Sequence, residues 1–161
     1  MQPVYAEPVL KREYEGQESC SVARTLEIVG VRWTWLIVRD AFLGLRRFDE
    51  LCASLGIARN VLADRLGRLV EEGILERVPY QERPARYEYR LTEKGEDLFT
   101  ALNAIRQWGD RYVSAAPMRL LRRKADGRPV VAALVPEGTP ALAREEIELV
   151  PGPGFPREGS A

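Results

Sequence analysis

The 161-residue chain contains no histidine and only two cysteines, Cys20 and Cys52. The absence of histidine removes the most common general base of enzymes and the most common zinc ligand. Two cysteines alone also argue against a structural zinc site, so we expect no metal and no other cofactor. The chain also lacks a Gly-rich phosphate loop, a serine elbow and a pair of carboxylates set in an apolar run. The sequence therefore does not indicate an enzyme.

Net charge and long apolar runs are absent as well. Because 24 basic residues balance 24 acidic ones, any basic surface for a nucleic acid must be local. The longest uncharged apolar runs, WTWLIV and VVAALVP, are far too short to span a bilayer, and the first residues do not resemble a secretory signal. We therefore expect a cytoplasmic protein without a membrane partner, whose cysteines are reduced thiols rather than a disulfide.

Helical periodicity dominates the first half of the chain. An apolar stripe at helical spacing opens it: Val22, Leu26, Val29 and Trp33. Gly30 interrupts this stripe, so we predict two helices, over about 20–30 and 33–43. A short helix over about 47–55 and a longer one over about 59–72 follow, separated by a short turn. Phe48, Leu51, Leu55, Leu62, Leu66 and Leu69 are the predicted core residues of these two helices.

Two short strands and one more helix complete the pattern. ILERVPY (74–80) and RYEYRL (86–91) are predicted strands, and the polar QERPAR between them predicts a hairpin loop. Thr92 is a suitable N-cap for a helix that reaches about 114. This order is that of a winged helix-turn-helix, so the predicted fold is mainly α with a β-hairpin wing (α+β). A small α+β domain that binds only protein would show the same pattern.

The character of the chain changes after Pro117. MRLLRR (118–123), PVVAALV (129–135) and EIELV (146–150) predict a small C-terminal β-meander extension, and the Pro/Gly-rich end is typical of disorder. We therefore predict four segments: an N-terminal arm over 1–18, a winged helix-turn-helix domain over 19–116, the extension over 117–150 and a disordered tail over 151–161.

Four motifs resemble those of one family: CSV (20–22), GVRW (30–33), RFDEL (47–51) and EYRLTEKG (88–95). Their order and spacing are similar to those of the HxlR-type bacterial transcriptional regulators, relatives of the MarR group. The resemblance covers residues 19 to about 113, with Ser21 in place of the family's Pro and Val31 in place of its Gly. It implies a homodimer, built from N-terminal and C-terminal helices, that binds a near-palindromic operator, most simply as a repressor.

In such a protein the second helix of the turn motif enters the major groove with its N-terminal end first. Five residues of that helix are assigned to this contact: Arg59, Asn60, Ala63, Gly67 and Arg68. Arg59 and Asn60 can pair with the edges of guanine and adenine, respectively. The small side chains of Ala63 and Gly67 allow this face of the helix to approach DNA closely, whereas Arg68 is assigned to a phosphate contact.

Four further arginines are assigned to the wing and to the DNA backbone: Arg46, Arg47, Arg83 and Arg86. A solvated hairpin is the alternative for the wing pair. Arg65 lies at the flank of the second helix, where an ion pair with a carboxylate is an equal alternative to a DNA contact. Asp64 would repel phosphate, so we expect it to pair with an arginine or to lie away from DNA. For the whole domain, the alternative is a winged-helix module that binds protein without sequence-specific DNA binding.

The long helix after the wing carries an apolar stripe that the resemblance assigns to the dimer interface: Leu98, Leu102, Ile105, Trp108 and Tyr112. The aromatic residues of this stripe, with Trp33 and Trp35, are an alternative lining for a small-molecule effector pocket, like the effector sites of MarR relatives. Core packing or dimer contact is the simpler interpretation.

Cys20 is the candidate redox-sensing residue. It stands at the predicted start of the first helix, where backbone N–H groups and the helix dipole stabilise a thiolate. A cysteine at this position resembles the sensing thiol of some HxlR-type regulators that respond to quinones, aldehydes or hypochlorite; a packing residue is the alternative. Cys52 follows core Leu51 and is interpreted as structural. The expected partners are thus double-stranded operator DNA, a second copy of the chain, and a small-molecule or oxidant effector.

Overall fold

The computed structural model describes residues 14–156, which divide into two compact units with the boundary between Glu96 and Asp97. The first unit contains α1 (Ser21–Val29), α2 (Thr34–Phe42), α3 (Phe48–Leu55), α4 (Arg59–Glu71), β1 (Leu75–Gln81), β2 (Arg86–Leu91) and the short α5 (Glu93–Glu96). This is the element order of a winged helix-turn-helix, and it confirms the α+β fold class.

The core of the first unit is formed by apolar residues from its helices and from the start of β1. Those at most 2% exposed are Val29, Ile37, Val38, Leu51, Leu62, Leu66, Leu69, Ile74 and Leu75. Of the predicted core residues, Phe48 and Leu55 are instead half-buried. On α4 the buried leucines recur every three or four residues, so they form one stripe that fixes the helix to the unit.

Part of the α1 stripe is not in this core. Val29 is 2% exposed, but Val22 is 67% and Leu26 39% exposed. Helical spacing thus identified an apolar face of α1, yet the first unit covers only the C-terminal end of that face. Exposed apolar residues on a helix are available to a partner.

A glycine sets the turn between α3 and α4. Gly56 ends α3 with φ of 61°, a left-handed conformation that L residues with a Cβ rarely adopt. Gly73, two residues after the end of α4, has the same left-handed conformation, with φ of 66°. These two glycines fix where α4 begins and ends.

The wing is attached to the start of α3. β1 and β2 pair antiparallel, with Leu75 opposite Leu91 and Arg77 opposite Tyr89. Arg47 forms an isolated bridge with Glu88, and the Tyr89 N–H donates to the Arg46 carbonyl at 2.8 Å. Arg46 and Arg47, just before α3, therefore pair with β2 as a short third segment of the wing sheet.

Thr92 is the N-cap of the short α5, as predicted, but the single helix expected to reach about 114 is divided into α5 (Glu93–Glu96) and a second helix over Leu98–Tyr112. Its hydroxyl accepts from the Gly95 N–H at 3.1 Å and donates to the Gly73 carbonyl at 2.6 Å. A Cβ on Gly95 would lie 2.2 Å from the Ile74 carbonyl oxygen, so only glycine fits at this position.

The second unit contains α6 (Leu98–Tyr112), β3 (Arg119–Arg123), a 3-10 turn (Arg144–Glu146) and β4 (Ile147–Pro151). The two strands pair antiparallel, with Leu121 opposite Leu149. Leu121 and Ile147 are buried. Because α6 belongs to this unit, the boundary between the compact units lies about one helix earlier than the predicted limit at 116/117.

The extension differs from the predicted meander in one strand. Residues 129–135 form no strand; they contribute only a bridge between Arg122 and Pro129. Within this segment, the backbone of Ala132 bonds to the side chain of Gln107 on α6 rather than to a strand. The Nε2 of Gln107 donates to the Ala132 carbonyl and its Oε1 accepts from the Ala132 N–H, both at 3.2 Å.

The terminal segments were predicted from composition alone. Residues 151–156, assigned to a disordered tail, pack against the start of β3 instead: the Gly152 N–H donates to Met118 at 2.8 Å and the Gly154 N–H to Pro117 at 2.9 Å. Residues 157–161 and residues 1–13 of the predicted arm lie outside the described residues. No helix within 14–156 is long and apolar enough to cross a membrane.

Candidate DNA-binding surface

The outer face of α4 is a strip of short side chains with an arginine at its N-terminal end. The exposed residues of this strip are Arg59, Asn60, Ala63, Asp64 and Gly67. A Cβ on Gly67 would have no atom within 4 Å, so packing within the unit does not require a glycine there. The small residues instead leave space for a molecule that approaches the helix closely, which is what insertion into a groove needs.

Arg59 is held in place by two residues of α3. Its Nη1 donates to Asp49 Oδ1 at 2.6 Å, and its guanidinium lies 4.8 Å from the ring centroid of Phe48. The hydrogen bond and charge of Asp49 raise the pKa of Arg59. Both partners of this ion pair remain exposed, at 70% and 82%, so the charged group is oriented yet open to a ligand. Asp49 could not be predicted as a partner from the sequence, because it lies ten residues before Arg59 and meets it only through the turn between α3 and α4.

Asp64 and Arg65 form the ion pair that was one alternative for Arg65. Arg65 Nε also donates to the Arg32 carbonyl at 3.3 Å, in the turn between α1 and α2. Asp64 thus pairs with an arginine, which was one of the two alternatives expected for it, and the pairing neutralises the carboxylate on the exposed strip.

Arg68 is placed differently from its assignment to a phosphate. It is half-buried, and its Nη2 donates to the Glu27 carbonyl at 2.7 Å. Its position on the helix turns it toward α1 rather than toward the strip of Asn60 and Gly67. Helical spacing alone could not show which flank of α4 faces α1.

The start of α3 and the wing form a second basic region. Glu50 accepts from the backbone N–H of Arg46 at 3.1 Å and of Arg47 at 2.9 Å, and these bonds lower the pKa of Glu50. The side chain of Arg47 lies 4.7 Å from the ring centroid of Tyr80, and its Nε is 3.5 Å from Glu88 Oε1. Arg47 is therefore engaged within the protein.

Unlike Arg47, the other three arginines assigned to this region are exposed and form no ion pair within residues 14–156: Arg46, Arg83 and Arg86. Arg86 and Arg47 line an open cleft of about 450 Å³ between the wing and the start of α3. These cations are positioned to contact anionic groups without first losing an ion pair.

The second unit exposes an apolar stripe on α6. Ile105 is 50%, Trp108 61% and Tyr112 63% exposed, while Leu98 and Leu102 are half-buried. The rings of Trp108 and Tyr112 lie 5.5 Å apart. A contiguous apolar stripe of this kind marks an interaction surface.

The opposite side of α6 is polar and packs within the unit. Asn103 is 5% exposed, and its Nδ2 donates to the Phe99 carbonyl at 2.8 Å. Arg106 donates to the Arg119 carbonyl at 2.7 Å and to Asp110 at 3.0 Å. The bonds to Phe99 and Asp110 are within α6, whereas the bond from Arg106 to Arg119 joins the helix to β3.

Comparison with known proteins decides the family. A family model described as the HxlR-like helix-turn-helix matches residues 28–117. The chain belongs to the HxlR-like family. An HTH-type transcriptional regulator of Mycobacterium tuberculosis is 42% identical over 149 residues, which are 91% of this chain and 92% of the relative. This HxlR-like protein is therefore a helix-turn-helix transcriptional regulator, as the motifs at 20–22, 30–33, 47–51 and 88–95 indicated, and its family is one of regulators rather than enzymes.

Two solved structures resemble this HxlR-like regulator over different lengths. PA1607, described as a proposed transcription factor, is 49% identical with a TM-score of 0.67 and covers 81% of this chain and 93% of its own. The redox regulator HypR in its reduced form is 30% identical with a TM-score of 0.52 and covers 55% of this chain and 88% of its own. The likeness to PA1607 thus extends further along the chain than the likeness to HypR.

The two cysteines of the HxlR-like regulator are both free thiols and both half-buried. Cys20 immediately precedes α1, and its carbonyl accepts from the Arg24 N–H at 3.0 Å. Its side chain makes no capping hydrogen bond to the helix. Cys52 lies within α3. Cys20 is thus the residue that precedes the first turn of a helix, whereas Cys52 is in the middle of one.

Proposed function

We propose that this HxlR-like regulator binds a near-palindromic operator as a cytoplasmic homodimer and acts there as a repressor. The observation that carries the proposal is the exposed strip of α4, in which Arg59 and Asn60 precede the small residues Ala63 and Gly67. One such helix reads only a few base pairs, so useful specificity requires two of them. The exposed stripe on α6 supports a second copy as the partner that supplies the other helix.

The side chains have distinct roles in this proposal. Arg59 pairs with O6 and N7 of a guanine, and Asn60 with N6 and N7 of an adenine. Ala63 and Gly67 let the helix approach the floor of the groove. Arg46, Arg83 and Arg86 contact phosphates or the minor groove beside it, and Arg47 joins them through the exposed half of its side chain while it stays beside Glu88. These contacts fix the register without reading sequence.

Selection of DNA tests the proposal directly. The purified full-length protein is incubated with a random-sequence pool of duplexes, and the retained fraction is sequenced over several rounds. A pseudo-palindrome with half-site centres about 10–10.5 base pairs apart, or a multiple of that spacing, is expected. Retention without any enriched sequence, or no retention at low salt, would contradict the proposed function.

Arg86→Ala is expected to weaken binding to every duplex. Loss of one phosphate contact should reduce the slope of log K against log salt by about 0.9 per protomer. Titrations of the enriched duplex and of a scrambled duplex at four salt concentrations measure both effects. The control is Arg86→Lys, which keeps the charge and should keep the slope. A change of sequence preference in Arg86→Ala would instead place this residue on a base edge.

Cys20 supports a finer proposal, namely that an electrophile or oxidant weakens operator binding through this thiol. The support is its place at the start of α1, its partial exposure, and the likeness to the redox regulator HypR. Thiolates at helix N-termini attack electrophiles faster than ordinary thiols.

A quinone or hypochlorite is expected to reduce operator binding by the native protein and by Cys52→Ser, but not by Cys20→Ser. Cys52→Ser is the matched control, because Cys52 is a free, half-buried thiol as well. Binding is measured before and after treatment, with mass spectrometry of both thiols. An equal response of the native protein and Cys20→Ser would refute a sensing role for Cys20.

A further inference from the structure

Arg68 joins α4 to the C-terminal end of α1. Its Nη2 donates to the Glu27 carbonyl at 2.7 Å. Its Nε is buried and has no hydrogen-bond partner among the described residues. The guanidinium thus points into the first unit, although the residue belongs to the helix that also carries the exposed strip.

The end of α1 needs such a donor. The last four carbonyls of a helix have no partner within the helix, and the negative end of its dipole favours a nearby cation. The last turn of α1 contains no basic residue. Arg68 of α4 supplies both the donor and the charge.

A second arginine on the same flank of α4 makes a parallel link. Arg65 lies three residues before Arg68, so the two side chains leave the helix on one side. Arg65 Nε donates to the Arg32 carbonyl in the turn that follows α1, at 3.3 Å. Two arginines of α4 therefore bind two carbonyls at the junction of α1 and α2.

We propose that Arg68, assisted by Arg65, is a positioning residue that fixes the rotation of α4 about its own axis. The buried stripe of Leu62, Leu66 and Leu69 decides which face of α4 is exposed, but apolar burial is not directional and leaves the helix a small range of rotation. Hydrogen bonds at a flank are directional, and they fix the rotation of the exposed strip within that range. This inference rests on the proposed function, because it assumes that the strip reads DNA bases.

A positioning role and a phosphate contact differ in what they affect. A phosphate contact adds affinity for all sequences and contributes to the salt dependence. A positioning residue acts only through the base contacts that it aligns. Its loss lowers affinity for the preferred sequence, while the affinity for other sequences and the salt dependence stay the same.

The experiment compares full-length wild type, Arg68→Gln, Arg68→Lys and Arg65→Gln on two duplexes. One is the duplex most enriched by the wild type from a random pool, and the other is a scrambled duplex of the same composition. Arg68→Gln should weaken binding to the enriched duplex by at least about five-fold, the effect of one lost base contact. The scrambled duplex and both salt slopes should be unaffected. Arg68→Lys should retain more affinity, since it keeps a cation at the end of α1, and Arg65→Gln should show the same pattern more weakly.

Equal weakening on both duplexes, with a slope smaller by about 0.9 per protomer, would overturn the inference and make Arg68 a phosphate contact. Unchanged affinity of Arg68→Gln for the enriched duplex would also overturn it. The active fraction of each variant is measured by titration at stoichiometric DNA, so that partial misfolding is not counted as weaker binding. If Arg68→Gln does not fold, Arg68→Lys and Arg65→Gln make the same comparison. If the wild type enriches no sequence, the proposed function itself is refuted. If the wild type does enrich a sequence but the Arg68 variants weaken binding to both duplexes equally, only this inference is refuted.

Discussion

Replacing Ile105 and Trp108 together with Asp is expected to give monomers and to weaken operator binding by about 10²–10⁴-fold, the gain that a second linked binding site normally provides. Both side chains are at least half exposed in the protomer, at 50% and 61%, so their replacement should leave the second unit folded. Two buried carboxylates on each side of a two-fold interface would lack partners and would repel each other.

The measurement is sedimentation velocity or light scattering of the variant, followed by titration of the selected duplex. Thr100→Asp combined with Ser114→Asp is the matched control. It adds the same charge to two exposed residues, one in α6 and one just after it, neither of which lies three or four residues from Ile105 or Trp108. The control should remain dimeric and bind DNA normally. A dimeric, fully active Ile105→Asp/Trp108→Asp protein would refute the assignment of the α6 stripe to the dimer interface.

The helices of the first unit could be predicted closely from sequence, because each has an apolar stripe bounded by turn residues. The third and fourth helices were expected over about 47–55 and 59–72 and are found at Phe48–Leu55 and Arg59–Glu71. The segment 129–135 shows where this approach fails. Its apolar run is as strand-like as β4, yet Ala132 bonds to Gln107 rather than to another strand. A local pattern cannot show which backbone groups a distant side chain will occupy.

In the candidate DNA-binding surface too, local spacing predicts some features, while contacts between distant residues decide others. Exposure of Arg59 and Asn60 follows from the stripe on the other side of α4, so spacing was sufficient to place them. The partners of Arg59 and Arg68 are Asp49 and the Glu27 carbonyl, which are reached only after α3 and α1 have packed against α4. Tertiary contacts, and not the helix itself, separate the arginine on the exposed strip from the one that caps α1.

The zero net charge of the chain is consistent with a protein that must discriminate among sequences. Affinity from phosphates alone is independent of sequence. On the exposed surface, Asp49 pairs with Arg59 and Asp64 with Arg65, so two cations next to the strip are partly neutralised. In the proposed complex, specific binding would then depend more on base contacts and less on general attraction to DNA.

Arg59→Ala is expected to reduce affinity for the selected operator by about 5–150-fold, the range for one bidentate base contact. The loss should be confined to sequences that carry the guanine which Arg59 reads, so a repeated selection with the variant should no longer enrich that base. Asn60→Ala should act similarly on an adenine. The exposed ion pair with Asp49 holds the guanidinium at the N-terminal end of α4, where a helix in the major groove meets the base edges.

Arg59→Lys distinguishes a bidentate hydrogen-bonded contact with guanine from a simple attraction between charges. Lysine keeps the cation but cannot form two parallel hydrogen bonds in one plane, so it should preserve binding to a scrambled duplex while losing much of the preference for guanine. Asp49→Asn is the second control, since it frees Arg59 without removing it. It should raise affinity for the scrambled duplex more than for the operator, because a cation no longer paired attracts any phosphate. If Arg59→Ala retained both the affinity and the preferred sequence of the wild type, α4 would have to meet DNA through a different face, and the role proposed for its exposed strip would be wrong.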